Sequence, residues 1–517
     1  MYGIILFAVT ASSLFAYFIL WPVVDYFRDP KGLRKYPNLN FLSGVTDLGF
    51  LYEAHKGFRS KALLEAHQKS PVVRIGPNSL SYSDLSAIKD IYGHNTKCVK
   101  DLFYDTLAGS HHHLADVRDK LDHQRKRRIL SSAYALKNLE GWEHKVADKT
   151  ERFIKAADAR CTEPLKKGER PTPESLTFDY RAYSNFFTLD AIADIGLSER
   201  LGFLDQGHDL VTAETMDGKL YQVNYRKCLH ATARGQAGTV WAYDWYPFFW
   251  KVAKFFSKDL GKLNAGWNDI VWHRSTQRLA RYRAGEQLDD FFSALMDDKN
   301  GNPNGMEWGE IVAEISIMMN AGSDTTAIAM NNAMYLLLKN PECLAKLQAE
   351  LDAVVEPSEV VIAYDTIRHL PYLRACLDEA LRMFPPSTFG LPRRTPPEGA
   401  PILGDFIPGE TSVSISAYVA HRDEKVFPEP EKFMPERWLG EDAKELQAAF
   451  ITFSAGARGC IGRNISYLEQ TVLLASVVHR FEWALPSPDW TPDLFEAFNL
   501  SPGPMPLKVW KRFEDKE

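Results

Sequence analysis

Cys460 stands in the run Phe453-Ser454-Ala455-Gly456-Ala457-Arg458-Gly459-Cys460-Ile461-Gly462. One sulfur is framed by glycines and an arginine. An apolar helical pattern follows at once, through Ile465, Leu468, Val472 and Val477 to Phe481. A cysteine at a helix N-terminus feels the positive end of the dipole, which favours thiolate over thiol. Gly456 and Gly462 are expected to turn the backbone sharply and bring it close to a flat object. Arg458 offers a forked cation to a carboxylate. This chemistry suits an axial thiolate on haem, where sulfur pushes electron density onto iron and favours O–O cleavage. A lone cysteine is more often a buried structural residue, so the rest of the chain must support the sharper reading.

The spacing F-x-x-G-x-R-x-C-x-G resembles the haem-binding loop of the cytochrome P-450 family. Further motifs occur in the order that family shows. Ala321-Gly322-Ser323-Asp324-Thr325-Thr326 lies inside a long helical pattern. Gly and two threonines are poor helix formers, and Thr hydroxyls can bond back to i−4 carbonyls and bend a helix. By itself the hexamer is equally an ordinary bent core helix. The resemblance implies that Thr325 assists oxygen activation and Asp324 relays protons. Glu379 and Arg382 share a helix face at i, i+3, and Pro435-Glu436-Arg437-Trp438 follows. Surface pairs of this kind are nearly neutral energetically. The resemblance instead implies a buried structural network of Glu379, Arg382 and Arg437.

Haem propionates need cations. The family pattern points to Arg458, to Arg127 four residues after His123, and to Arg393; Phe453 and Gly462 complete the cofactor loop. The run Arg125-Lys126-Arg127-Arg128 also reads as a solvated basic face that could dock an acidic electron donor. His111-His112-His113 lacks a neighbouring ligand at metal spacing and reads as a polar loop near a pocket mouth. His421-Arg422-Asp423 lacks the Asn and the Gly-rich loop of a kinase. It fits the family's run before the Pro-Glu-Arg motif.

These residues need a large scaffold. The chain has 517 residues, 45% hydrophobic and 12% aromatic. No linker or repeat divides it, so one haem-thiolate monooxygenase domain over residues 28–517 is expected. The net charge of −6 argues against a nucleic-acid partner. Six scattered cysteines without a C-x-x-C pair suggest neither a disulfide framework nor a zinc site. The expected fold is mainly α with a minor β-sheet. The patterns predict strands around a turn in 71–83, a helix capped by Asp84 through Ile91, and a basic helix over 122–130. They predict helices over 178–195, 308–339 and 371–383, and short strands in 401–415. Asn340 is placed to cap the helix that Pro341 opens.

Gly3 to Val24 is uncharged and mostly apolar, and its length matches a bilayer span. Arg28, Lys31, Arg34 and Lys35 follow, which keeps that side cytosolic. Trp21 and Tyr26 read as interfacial anchors. A cleaved signal peptide is the alternative, but no basic residue precedes the apolar run. Residues 1–27 are therefore expected to be a single-pass anchor in the endoplasmic reticulum membrane, ahead of a cytosolic catalytic domain.

Within the family, Ile91-Tyr92-Gly93-His94, the run 100–105, the run 122–134 and Gly390-Leu391-Pro392-Arg393-Arg394 are similar to fungal microsomal benzoate para-hydroxylases. Ala135, where many members carry Ser, and the His111–His113 run depart from them and favour a tailoring enzyme of secondary metabolism. The resemblance implies haem b, dioxygen, an apolar small-molecule substrate, and NADPH electrons from a separate cytochrome P-450 reductase. Two rivals remain: benzoate catabolism, and a non-enzymatic membrane haem protein acting as sensor or carrier. A carrier needs no proton relay, so Asp324 and Thr325 speak against the second.

Overall fold

The computed structural model describes residues 2–134, 141–243 and 245–513. Ala135 lies outside them. The helices that matter here are α1 (Tyr2–Phe15), α2 (Trp21–Arg28), α3 (Lys120–Ala133), α4 (Glu143–Asp158), α5 (Tyr180–Leu197), α6 (Tyr225–Ala237), α7 (Lys258–Arg283), α8 (Trp308–Lys339), α9 (Pro341–Asp352), α10 (Pro371–Met383) and α11 (Arg463–Arg480). The fold is mainly helical with small sheets. The helices α5, α7, α10 and α11 pack around α8. One large apolar core joins them, with Phe153, Phe187, Ile315, Met334, Leu377 and Leu473 fully withdrawn from solvent.

The expected helices over 308–339 and 371–383 have those limits. Glu307 and Glu310 form a capping box that starts α8. Asn340 works differently from expectation. Its Nδ2 donates to Leu336 O at 2.7 Å, so it closes α8 rather than capping α9. Two boundaries shift. Phe178–Asp179 is a short strand, and the Asp179 carboxylate caps α5 through Ala182 N. Asp84 accepts from Ser86 N at 2.8 Å, which makes one turn and delays the next helix to Ala87–Ile91.

The main sheet contains β1 (Val72–Gly76), β2 (Ser79–Tyr82), β3 (Val99–Lys100), β4 (Arg393–Arg394) and β5 (Ser412–Ile415), in the spatial order β1-β2-β5-β4-β3. β3 pairs antiparallel with β4, and Lys100 is opposite Arg393. That register sets two cations side by side at the sheet edge nearest the cavity. A hairpin of β6 (Leu494–Glu496) and β7 (Leu500–Pro502) carries Ala497, Phe498 and Asn499 on its turn.

The N-terminal run is helical in three pieces: α1, a π-turn over Ala16–Leu20, and α2. Among the described residues no single helix is long and apolar enough to cross a membrane. Trp21 is exposed, but Tyr26 is not a free interfacial anchor. Its hydroxyl accepts from Asn38 Nδ2 at 3.3 Å, and the Arg34 guanidinium sits 5.3 Å from its ring. Arg34 also donates to Phe27 O. The chain is thus tied to the body from Tyr26 onward, ahead of the boundary expected after residue 27.

Candidate active site

The Cys460 loop is held by its own backbone. Cys460 N donates to Phe453 O at 2.8 Å, and Gly459 N donates to Gly456 O. Gly456 has φ +66°, and a Cβ there would sit 2.0 Å from Tyr92 O, so only glycine fits. Gly462 needs no such freedom: its φ is −81° and a Cβ would meet nothing nearer than 3.7 Å. Its contribution is its N–H. Gly462 is the N-cap of α11, and Cys460 lies two residues ahead of it rather than in the helix. Backbone N–H groups of Gly462 and Arg463 both point at the sulfur. Burial pushes the thiol up, while those N–H groups, Arg127 and Arg463 pull it back toward thiolate.

The sulfur opens into a cavity of about 1250 Å³. The lining includes Cys460, Thr325, Asp324, Phe453, Leu391 and Ala329. Cys460 is the single cysteine on this wall among the described residues.

The three expected cations, Arg127, Arg393 and Arg458, and the expected cofactor position His123 face the same cavity. Lys100 joins them. Their polar partners are neutral. Arg127 donates to Gly459 O at 2.8 Å, Arg458 to Val117 O at 2.8 Å and Arg118 O at 3.1 Å. Arg393 donates to Tyr104 Oη at 3.0 Å, and Lys100 to Ala115 O at 2.7 Å and Leu114 O at 3.2 Å. None makes an ion pair with a carboxylate among the described residues. Burial and repulsion from neighbouring cations lower the proton affinity of three of the five: Arg458 falls to about 10, His123 to about 3, and Lys100 well below its usual value. A patch of buried like charge with only neutral partners fits a dianionic ligand edge, as two propionates present. The donor set fits haem: one sulfur on one wall, cations at the rim.

The basic-face reading of 125–128 is corrected. Arg125 pairs with Asp122 at 2.7 Å and with Glu310. Lys126 is buried, 2.9 Å from Glu310 and 3.4 Å from Glu314. Arg127 turns to the cavity, and of the four only Arg128 is solvent-exposed.

Thr325 lies on the cavity wall, and its Oγ1 donates to Ala321 O at 3.0 Å. Ser323 bonds back to Met319 O at 2.7 Å, yet α8 runs unbroken through the motif. Thr326 also borders the cavity, where its hydroxyl is tied to Ser466 of α11 at 2.9 Å. Asp324 is buried in a polar cluster absent from the sequence-based expectations. Its Oδ1 accepts from Arg181 Nη2 at 2.9 Å and lies 3.1 Å from His230 Nε2; Oδ2 accepts from Asn499 at 3.2 Å. The partners outweigh burial and hold the carboxyl far below the usual range. Arg181, His230 and Asn499 come from α5, α6 and the β6–β7 turn. No local motif marks them, because only the packing of three distant segments brings them together.

Behind this wall Glu379 accepts five hydrogen bonds. Arg382 gives two, at 2.8 and 2.9 Å; Arg437 gives one at 3.0 Å, Trp438 Nε1 one at 2.9 Å and Met434 N one at 3.0 Å. Arg382 also donates to His421 O. Ile451 N donates to His421 Nε2 at 3.0 Å, which leaves Nδ1 protonated and donating to Arg382 O at 3.1 Å. His421 thereby links this network to the strand-like approach to the Cys460 loop. Of the three expected members, Glu379, Arg382 and Arg437 are all present.

His111 and His113 line the cavity. His112 and His113 both approach Asp116, each at 3.3 Å.

A chain with a cysteine loop, a rim of cations and a threonine-bearing central helix around one cavity has the form of a haem-thiolate enzyme. The family model "Cytochrome P450" matches residues 50–509, and the chain belongs to that family. It is 31% identical over 493 residues to cytochrome P450 monooxygenase efuB of Hormonema carpetanum, covering 93% of this chain and 92% of that one. It is 28% identical to benzoate 4-monooxygenase bphA of Aspergillus niger, covering 91% of each chain. It is 27% identical to tryprostatin B 6-hydroxylase of Aspergillus fumigatus, covering 90% of this chain and 79% of that one. It is therefore a monooxygenase of the cytochrome P450 class, whose members use haem with a cysteine thiolate ligand and reductase-supplied NADPH electrons.

Proposed function

We propose that this chain is a membrane-anchored monooxygenase that oxidises an apolar aromatic, polyketide or terpenoid small molecule in fungal secondary metabolism. The carrying observation is one cavity that holds the Cys460 sulfur, the carboxylate-free cations of the rim and Thr325. Cys460 is the iron ligand in this reading. Arg127, His123, Arg393, Arg458 and Lys100 receive the propionates, and Phe453 and Gly462 shape the loop. Haem supplies dioxygen activation, so that one oxygen atom enters the substrate and the other leaves as water.

The remaining steps belong to side chains. Thr325 Oγ1 keeps its lone pairs toward the cavity and holds an incoming proton there. Asp324, held ionised by Arg181 and His230, assists proton delivery by fixing the polar cluster beside Thr325 rather than by carrying the proton itself. Glu379, Arg382 and Arg437 are structural: they fix the approach to the Cys460 loop. The apolar wall excludes water around the substrate.

Residues 1–27 form the anchor in this reading, with α1, the π-turn and α2 acting as one mostly apolar rod whose last residues are tied to the body, and the rest is a single cytosolic domain at the endoplasmic reticulum. Electrons come from NADPH through a separate, membrane-held cytochrome P-450 reductase. A second reading, para-hydroxylation of benzoate, is favoured by the 28% identity to benzoate 4-monooxygenase over nearly the full chain.

Cys460→Ser tests the assignment. The wild-type protein should give the red-shifted carbon monoxide band of a thiolate-bound haem, and the variant should lose both band and turnover. A normal band in the variant removes Cys460 as the ligand. Product analysis with reductase then separates benzoate from larger aromatic and polyketide substrates.

A further inference from the structure

The helix α6 carries Arg226, His230 and Arg234 at i, i+4 and i+8, together with Leu229 and Ala233, on the stripe that lines the cavity. Three cation-forming side chains on one wall of the cavity need partners. His230 has one, the Asp324 carboxylate it shares with Arg181. Arg226 has none. Its guanidinium makes no hydrogen bond or ion pair among the described residues, and its Nε is buried without a partner. The contacts it does make are apolar: its Cζ lies 5.6 Å from the Phe186 ring. Arg234, nearer the exterior, has the Phe495 ring at 5.9 Å and no hydrogen bond or ion pair among the described residues.

The nearby carboxylates are already engaged. Asp324 is bound by Arg181, His230 and Asn499. Asp209 accepts from Asn224 Nδ2 and from the Arg226 backbone N–H. Asp179 accepts from Ala182 N and Met505 N. Each of these holds backbone or neighbours in place, and none reaches the Arg226 fork. Arg226 is half-buried with its Nε shut off from solvent, and a withdrawn donor left unmatched costs free energy that an acceptor would recover. The cavity is the side from which such an acceptor can reach the fork.

We infer that Arg226 anchors an anionic group of the substrate, a carboxylate or an acidic enol or phenolate, on the α6 wall of the cavity, with Arg234 steering such molecules at the entrance. The chemistry is that of a fork matched to two oxygens. The inference rests on the monooxygenase reading of this cavity and narrows its substrate class from apolar to amphiphilic: an apolar body with one acidic end. Arg226 is thus a specificity-determining residue that touches substrate.

The test uses the full-length, haem-loaded protein and three acid–ester pairs: benzoate, naphthoate and hexadecanoate, each against its methyl ester. Binding is read from the substrate-induced Soret shift. At least one acid should bind about tenfold or more tighter than its ester. Arg226→Gln should erase that preference by weakening the acid and leaving the ester within about twofold. Arg226→Lys should restore part of it, because charge remains while the fork is lost. If no acid is preferred over its ester, or if R226Q keeps the preference, the inference is overturned. The carbon monoxide band is measured in every variant. Its absence in the wild type would sink the haem-thiolate reading instead, and its persistence in R226Q shows that the variant is folded and loaded.

Discussion

Arg181 Nη2 lies 2.9 Å from Asp324 Oδ1, which joins the first turn of α5 to the middle of α8. Both side chains are almost fully buried. The pair therefore does two things at once: it pins α8 to α5 and keeps Asp324 charged. Asp324→Asn should cost about 3–5 kcal/mol of stability, because Arg181 is left buried without its counter-charge. It should also slow turnover. Arg181→Gln added to Asp324→Asn should recover stability in denaturant titration without recovering turnover. Recovery of both would reduce Asp324 to a structural residue.

Thr325→Ala removes the hydroxyl that bonds Ala321 O but leaves the cavity wall intact. The variant should load haem and give wild-type Soret shifts. It should consume NADPH while releasing peroxide in place of product. The ratio of product formed to NADPH consumed is the readout, and an unchanged ratio takes Thr325 out of proton handling.

Glu379→Gln leaves Arg382 and Arg437 sharing an uncharged acceptor in a site withdrawn from water. The expected loss is about 3–5 kcal/mol. Because His421 couples this site to the approach of the Cys460 loop, haem occupancy should fall with it. Haem-to-protein ratio after purification measures this. Full occupancy with a purely kinetic defect would contradict the structural role.

One buried and one half-buried histidine set an acid limit. Burial lowers His421 to about 3, with Arg382 and Arg422 adding repulsion, and lowers His67 to about 4. Unfolded, each has the ordinary value of 6.5. The unfolded chain therefore binds more protons between these values. Stability is fully present above about pH 6.5 and is lost as pH falls toward about pH 3–4. The loss is on the order of 3 kcal/mol per histidine across that window. Denaturant titrations at about pH 7 and about pH 5 should show the difference, and His421→Gln should flatten its share.

The anchor proposal separates membrane attachment from catalysis. Tyr26 and Phe27 contact Asn38 and Arg34, so a cut after residue 20 preserves those ties. The shortened protein should leave the salt-resistant membrane fraction and still load haem. Failure to fold with haem would make the N-terminal run part of the core.

Much of the site was legible because it is local. The Cys460 loop, the Asp324–Thr325 pair and Glu379–Arg382 each sit within a few residues, where spacing alone fixes geometry. The limits of α8 and α10 followed from Trp308 and from Pro371 with Pro385-Pro386. What could not be read depends on distant packing. Arg181, His230 and Asn499 converge on Asp324 from three segments with no shared motif. Lys100 reaches the cation rim through a strand register with Arg393. Lys126, read as part of a wet basic face, is buried because Glu310 and Glu314 come from α8 to meet it. Asn340 is a plausible cap for either flanking helix, and only the direction of its Nδ2 decides.

The rim cations have a bearing on preparing the protein. Lys100, Arg127, Arg393 and Arg458 crowd one wall beside His123, with carbonyls and a phenol as the partners of the four. Before the prosthetic group arrives, the polypeptide is a small polyelectrolyte whose charges must be quieted by whatever counter-ions the solution offers. Multivalent oxyanions are the natural temporary guests. Cofactor-depleted stocks kept in phosphate or sulfate should outlast those kept in chloride, and reconstitution should proceed by exchange of those guests for haem.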